Sequence, residues 1–315
     1  MAQFQLYNYQ FGRIENPDET LNLFGQKKYI MSAEESFPKR QDIFQELFDN
    51  DYDGKNDNDK IIFRKAKLQK EYHHIHIISP KDGLIIMRIA NKRNAIRHDK
   101  DLEKVVYDDY RNCIVIIDNR PGIQRIALEV KKSVFSVDLT LKKIIADTLN
   151  ELLKPYCLYF EMYNLKNSKD FWTLVKDKDA YPSGFYKIKF HLPYLNLERL
   201  SKKYNLIFGK PRESFNCRMD IEYTAQKGGQ LDFNENDEFQ ISQVKYFTED
   251  IGGNSIEIIP NNNKKKAINA NTFSSRYTFI SDTEFIKIKE YAQSGDLFEC
   301  TSLETIKSEM KKGID

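Results

Sequence analysis

The chain has 315 residues, 40% of them hydrophobic and 30% charged, enough for a substantial core in one large or two modest domains under a well-solvated surface. Lys and Arg number 49 against 47 Asp and Glu, a formal charge of +2, which excludes a surface built wholly for nucleic acid while leaving room for a local basic patch. No stretch approaches the ~20 apolar residues of a membrane span, and the first residues show neither the basic nor the apolar segment of a signal peptide, so membrane insertion is not expected.

Alternation of Phe4 and Leu6 with glutamines predicts a strand over 3–14. Ile43, Phe44, Leu47 and Phe48 give residues 39–48 one apolar face and predict a helix. The polar stretch 49–59 reads as a loop. Two similar hairpins follow, 72–83 leading into 84–90 and 113–122 leading into 123–130. In each, a β-branched run stops at a Pro/Gly turn and resumes with near alternation. They are expected to be neighbours in one meandering sheet. Asp138 caps a helix over 139–154 that Pro155 stops.

The second half predicts strands at 157–163, 184–192, 216–225, 255–259 and 275–280. Helices are expected at 168–177, 196–205, 237–249, 283–293 and 302–312, with Ser168 and Asp237 as caps. The fold class is therefore α+β: mostly antiparallel sheet built from hairpins, with helices packed on one side. A soft boundary near 155 separates an N-terminal region, 1–155, from a C-terminal region, 156–315.

Four patterns carry chemistry. Glu129-Val-Lys131 resembles the second element of the PD-(D/E)xK nucleases, which hold a divalent metal and orient water. Strand geometry rules out Asp118 as its partner, since a turn at 119–122 leaves the two carboxylates ~20 Å apart. Asp109, with Lys131 and Glu129, is the catalytic set that survives. Arg93-x4-His98 resembles the Arg-x4-His pair of the HEPN ribonucleases, but it follows a strand instead of lying in a helical bundle.

Asp49-x-Asp51-x-Asp53-Gly54 resembles the start of an EF-hand calcium loop, although Lys60 stands where the bidentate Glu belongs. His74 and His76 share one face of their strand, a spacing that suits a metal, but no third ligand is evident from sequence. Mg²⁺ and Ca²⁺ are the cofactors these patterns would call for.

Basic residues at Lys92, Arg93 and Arg97, at Lys131 and Lys132, and at Lys142 and Lys143 form a candidate phosphate-contacting edge. A further run lies at Lys264, Lys265 and Lys266. Gly228-Gly229 and Gly252-Gly253 read as a hairpin turn and a helix C-cap, because neither joins a strand to a following helix.

The four cysteines, Cys113, Cys157, Cys217 and Cys300, form no Cys-x-x-Cys pair, which points to a reducing, cytoplasmic setting. Abundant Lys, Asn, Ile, Tyr and Phe reflect AT-rich codons and suggest a bacterial or mobile-element gene. The expected function is a non-catalytic binding or scaffold subunit of a bacterial multi-component system. That system would be anti-phage defence or mobile-element associated, and the subunit would contact nucleic acid or a partner protein. The alternative is a metal-dependent nuclease using Asp109, Glu129 and Lys131.

Overall fold

A computed structural model of the chain describes residues 1–14, 29–53, 60–65, 70–80, 82–98, 100–135, 138–192, 219–253, 255–263, 266–294 and 300–312. The helix expected at 196–205 lies outside these residues, as do Gly54, Lys264, Lys265 and Cys217. Among the described residues, seven α-helices and twelve antiparallel strands form two sheets, the α+β architecture expected from the hairpin pattern. No helix among them is long and apolar enough to cross a membrane.

The chain divides into two compact units. The first comprises 1–5, 11–162 and 278–311, and the second comprises 6–10, 163–277 and 312–315. The division falls after residue 162, where the sequence suggests a boundary near 155, and the last two helices belong with the N-terminal unit.

The large sheet runs in the order β12, β1, β6, β5, β4, β3, β2, with β7 also pairing β1. Its strands are β1 (Ala2–Arg13), β2 (Phe63–Lys65), β3 (Lys70–His76), β4 (Leu84–His98), β5 (Lys104–Asp118), β6 (Arg125–Glu129), β7 (Leu158–Asn164) and β12 (Tyr277–Ile280). The two hairpins are neighbours, as their shared pattern suggests. The connection between them is itself regular, because β4 and β5 pair without interruption from Leu84↔Asp118 to His98↔Lys104.

Helix α2 (Arg40–Asp53) follows a short α1 (Ala33–Ser36), which a reciprocal Ser32–Glu35 capping box starts. Phe44 and Phe48, four residues apart, lie on one face of α2. Phe44 packs against Phe11 at 5.3 Å between ring centroids, stacks on Phe160 at 5.9 Å and meets Phe48 at 5.1 Å.

Helix α3 (Asp138–Leu153) buries Leu141, Ile144, Ile145, Leu149 and Leu153. Its Asn150 binds β7 like a backbone segment. The side-chain amide donates to the Phe160 carbonyl at 2.9 Å and the side-chain carbonyl accepts from the Phe160 N–H at 2.7 Å. Helices α6 (Asp282–Ser294) and α7 (Thr301–Lys311) complete the unit.

In the second unit the sheet order is β11, β10, β8, β9, formed by β8 (Phe185–Leu192), β9 (Met219–Thr224), β10 (Ile256–Pro260) and β11 (Ile268–Asn269). Phe171, Phe185, Phe190, Phe247 and Phe273 fill its core with Ile188, Ile256 and Ile258. Helix α4 (Ser168–Lys176) is capped by Asn167, whose side chain accepts from the Lys169 N–H, and not by Ser168. Asp237 caps α5 (Glu238–Lys245) as the sequence suggests. The turn continuing α5 ends at Gly252, where φ is +72° and an added Cβ would lie 2.5 Å from the Asn164 carbonyl oxygen, so only glycine fits.

Asn150→Ala leaves the Phe160 amide pair without its partners. We expect a loss of ~1–3 kcal/mol in unfolding free energy by urea titration, with little change in m-value.

Candidate functional site

The helix face that carries Phe44 and Phe48 into the core continues to Asp51, three residues beyond Phe48. Asp51 is thereby carried into the interior, with a side chain only 2% exposed. Successive α-helical residues turn by about 100°, so Asp49 and Asp53 fall on the opposite side. The aspartates 49, 51 and 53 therefore belong to the last turns of a helix and do not form a calcium loop. Asp49 accepts a hydrogen bond from Gln45 within the helix, at 2.9 Å.

Asp51 of α2 is the third group that the sequence left unassigned beside His74 and His76 of β3. His74 and His76 project from one face of β3 toward α2, and both Nε2 atoms meet the same oxygen, Asp51 Oδ2, at 2.7 and 2.6 Å. The other carboxylate oxygen accepts the Ile61 N–H at 2.7 Å. Burial opposes the Asp51 charge, but the hydrogen bonds from His74, His76 and Ile61 outweigh it and hold the carboxyl well below the usual carboxylate range.

Aromatic edges fix the imidazoles. Phe63 packs on His74 at 5.0 Å, and Tyr52 and Phe48 pack on His76 at 5.7 and 6.3 Å. The three donor groups form a cluster whose ligand atoms lie within 4.8 Å of one another. The site opens into a cleft of about 700 Å³ beside the outer edge of β3, where Lys60, Tyr72, His73, Lys92 and Tyr110 also contribute. The cleft continues along this edge because pairing with β2 stops at Phe63↔Tyr72.

The residues of the nuclease reading do not converge. Glu129 ends β6 with its carboxylate buried, accepting the Ile114 N–H at 2.8 Å and pairing with Lys131 at 2.7 Å. Asp109 lies five residues farther along β5, about 17 Å away at the usual rise. It pairs with Arg111 at 2.7 Å. Asp118 is bound to Arg120 and pairs with Arg125 instead of Ile123, so it stands four residues from Glu129, about 13 Å at the usual rise and nearer than the ~20 Å expected, but still too far to share a metal with it. Arg93 and His98 sit in the extended strand β4 on opposite faces, away from any helical scaffold.

The basic groups are largely committed to local partners. Lys92 pairs with Asp108 at 2.8 Å, Arg93 donates to the Val134 carbonyl at 2.8 Å, and Arg97 covers the Tyr107 ring at 5.6 Å. Lys143 pairs with Asp147 at 3.0 Å one turn along α3. Lys132 is exposed in the turn after β6. Lys142, also on α3, makes contacts of its own.

No protein-family model and no curated protein matches the chain. Its functional reading therefore rests on its own geometry.

Beyond Ala90 in β4 and Asn112 in β5, pairing with β3 and β6 has ended, no other described strand pairs with either, and the two strands run on as a ribbon. Eight residues per strand carry it about 25 Å. One face presents Ile96, Val106 and Tyr110, and the other Val105 and Tyr107, with exposures from 36% at Val105 to 62% at Ile96. Asn91 and Arg93 anchor its root by both donating to the Val134 carbonyl.

Cys113 lies where the ribbon meets the sheet. Burial, with the Glu129 charge adding to it, pushes its thiol up to about 12. Iodoacetamide at pH 8 should leave Cys113 unmodified in the native protein over hours and alkylate it once urea unfolds the chain, as read by peptide mass spectrometry.

Proposed function

We propose that the protein is a docking subunit that engages a protein partner through the β4–β5 ribbon. The observation that carries this reading is the ribbon itself: two strands projecting beyond the sheet with apolar and aromatic side chains exposed on both faces. A two-stranded ribbon is marginal in water on its own, and clustered exposed apolar groups mark interaction surfaces. Tyr107 and Tyr110 are the residue type that anchors interfaces with little loss of conformational entropy.

Charge favours protein over nucleic acid. Residues 91–111 hold six basic groups (Lys92, Arg93, Arg97, Lys100, Lys104, Arg111) and five acidic ones (Asp99, Asp101, Glu103, Asp108, Asp109). A phosphate-tracking arm requires a strong positive excess, whereas alternating charges at the rim of an apolar stripe suit a mixed-charge protein surface and protect the open edges from indiscriminate pairing. Membership of a bacterial multi-component assembly accords with this role.

A photo-crosslinking residue at position 106 in the native host should capture a discrete protein. The Tyr107→Ser and Tyr110→Ser pair should weaken that association at least 10-fold with the thermal midpoint nearly unchanged, since both side chains are solvent-exposed. Retarded migration of DNA or RNA that weakens steeply with salt and disappears with ribbon charge substitutions would overturn the reading.

A further inference from the structure

We infer that Asp51, His74 and His76 form a binding site for one first-row divalent transition metal ion of the Zn²⁺, Fe²⁺ or Co²⁺ class, with open coordination positions facing the cleft. Three observations support the site. Its donors come from two separate elements, the core face of α2 and one face of β3, and converge on a single point. His74 Nε2 and His76 Nε2 meet Asp51 Oδ2 at 2.7 and 2.6 Å, with all three ligand atoms within 4.8 Å. Metal bonds of about 2.0–2.2 Å at tetrahedral angles set neighbouring donor atoms about 3.3–3.6 Å apart, so an ion requires each imidazole nitrogen to draw back from Asp51 Oδ2 by somewhat under 1 Å, within the reach of small side-chain rotations.

The tautomers permit ligation. His76 Nδ1 is buried without a hydrogen-bond partner among the described residues. Placing the His76 proton on Nδ1 therefore breaks no bond there and frees the Nε2 lone pair for the metal. The Asp51 carboxylate supplies the oxygen ligand, and its second oxygen is already oriented by the Ile61 N–H.

Donor chemistry selects the ion. Two imidazoles with one carboxylate suit zinc, iron or cobalt, whereas calcium and magnesium prefer oxygen donors throughout. Three protein ligands leave at least one position of a four-coordinate ion unfilled, the arrangement of a reactive centre rather than a structural one. Here that position faces a cleft of about 700 Å³, where Tyr52, Tyr72 and Lys60 would meet a water or small oxyanion on the metal. The inference is independent of partner docking by the ribbon.

The test uses the 315-residue chain, stripped by chelator and titrated separately with Zn²⁺, Co²⁺, Ca²⁺ and Mg²⁺ by calorimetry, with Co²⁺ also followed by visible absorption. One equivalent of Zn²⁺ and of Co²⁺ should bind, the latter with ligand-field bands, and Ca²⁺ and Mg²⁺ should bind at least 100-fold more weakly. Asp51→Asn and His74→Ala should each weaken Zn²⁺ at least 10-fold, while His191→Ala, in β8 of the second sheet, should leave affinity unchanged.

Circular dichroism will show whether each variant folds. If the two ligand variants do not, the wild-type protein decides: among its five histidines, Co²⁺ should shift the ring protons of two in the NMR spectrum, and His191→Ala should retain both shifted signals. Absence of stoichiometric Zn²⁺ and Co²⁺ binding, equal affinity in folded Asp51→Asn and His74→Ala, tighter binding of Ca²⁺, or unshifted histidine signals would overturn the site.

Discussion

The uninterrupted pairing of β4 with β5, from Leu84↔Asp118 to His98↔Lys104, sets the geometry of the ribbon and of the strand that carries His74 and His76. At its inner end the ladder lies in the core, where Ile85, Ile86, Val115, Ile116 and Ile117 are fully enclosed. At its outer end no strand among the described residues pairs with it, and it becomes the ribbon. Because its register is fixed over fifteen pairs, it also fixes its flanking strands: β3 is placed against β4 by His74↔Ile89 and His76↔Met87, and β6 against β5 by Val115↔Leu128. A slip of one residue would turn His74 and His76 away from α2 and bring His73 and Ile75 inward.

The same ladder shows how a sheet can stop without leaving unsatisfied groups. Pairing between β5 and β6 ends where Glu129 turns its carboxylate onto the Ile114 N–H, so a side chain takes over from the next backbone carbonyl. Lys131 neutralises that charge at the surface. Residues that resemble a catalytic pair in sequence thus terminate a strand ladder. At Asp51 the balance differs. A carboxylate sits on the apolar face of a helix, and two histidines of the adjacent strand, with one backbone N–H, make its burial tolerable.

Much of this architecture is legible in the sequence, because strand alternation and helix periodicity are local signals. The paired hairpins, the long helix ending before Pro155 and the Asp237 cap follow from residue patterns a few positions wide. What escaped has physical causes. Residues 91–112 mix charges with scattered apolar groups, since a ribbon solvated on both faces has no buried side to impose a period, so its strands read as a connection.

The Asp-x-Asp-x-Asp run looks like a loop by composition, but Phe44 and Phe48 dock α2 firmly enough to carry the helix through it. The two histidines were visible as a pair. Their carboxylate partner, 23 and 25 residues earlier, was hidden because only the packing of α2 on the sheet brings it near. An acidic residue in step with a helix's apolar face was the one signal that pointed to it.

The outer segment of the β4–β5 ladder also constrains how the protein can vary. Each strand shows alternate residues to opposite sides, so Tyr107 and Tyr110 are held on opposite faces by counting alone. Matched gains or losses of two residues in each strand between the tyrosines and the root preserve both faces. A change of one in each exchanges them. Reach can therefore be altered only in increments of about 7 Å if the same surface is to be presented, and lineages that lengthen or shorten this arm would do so in even steps.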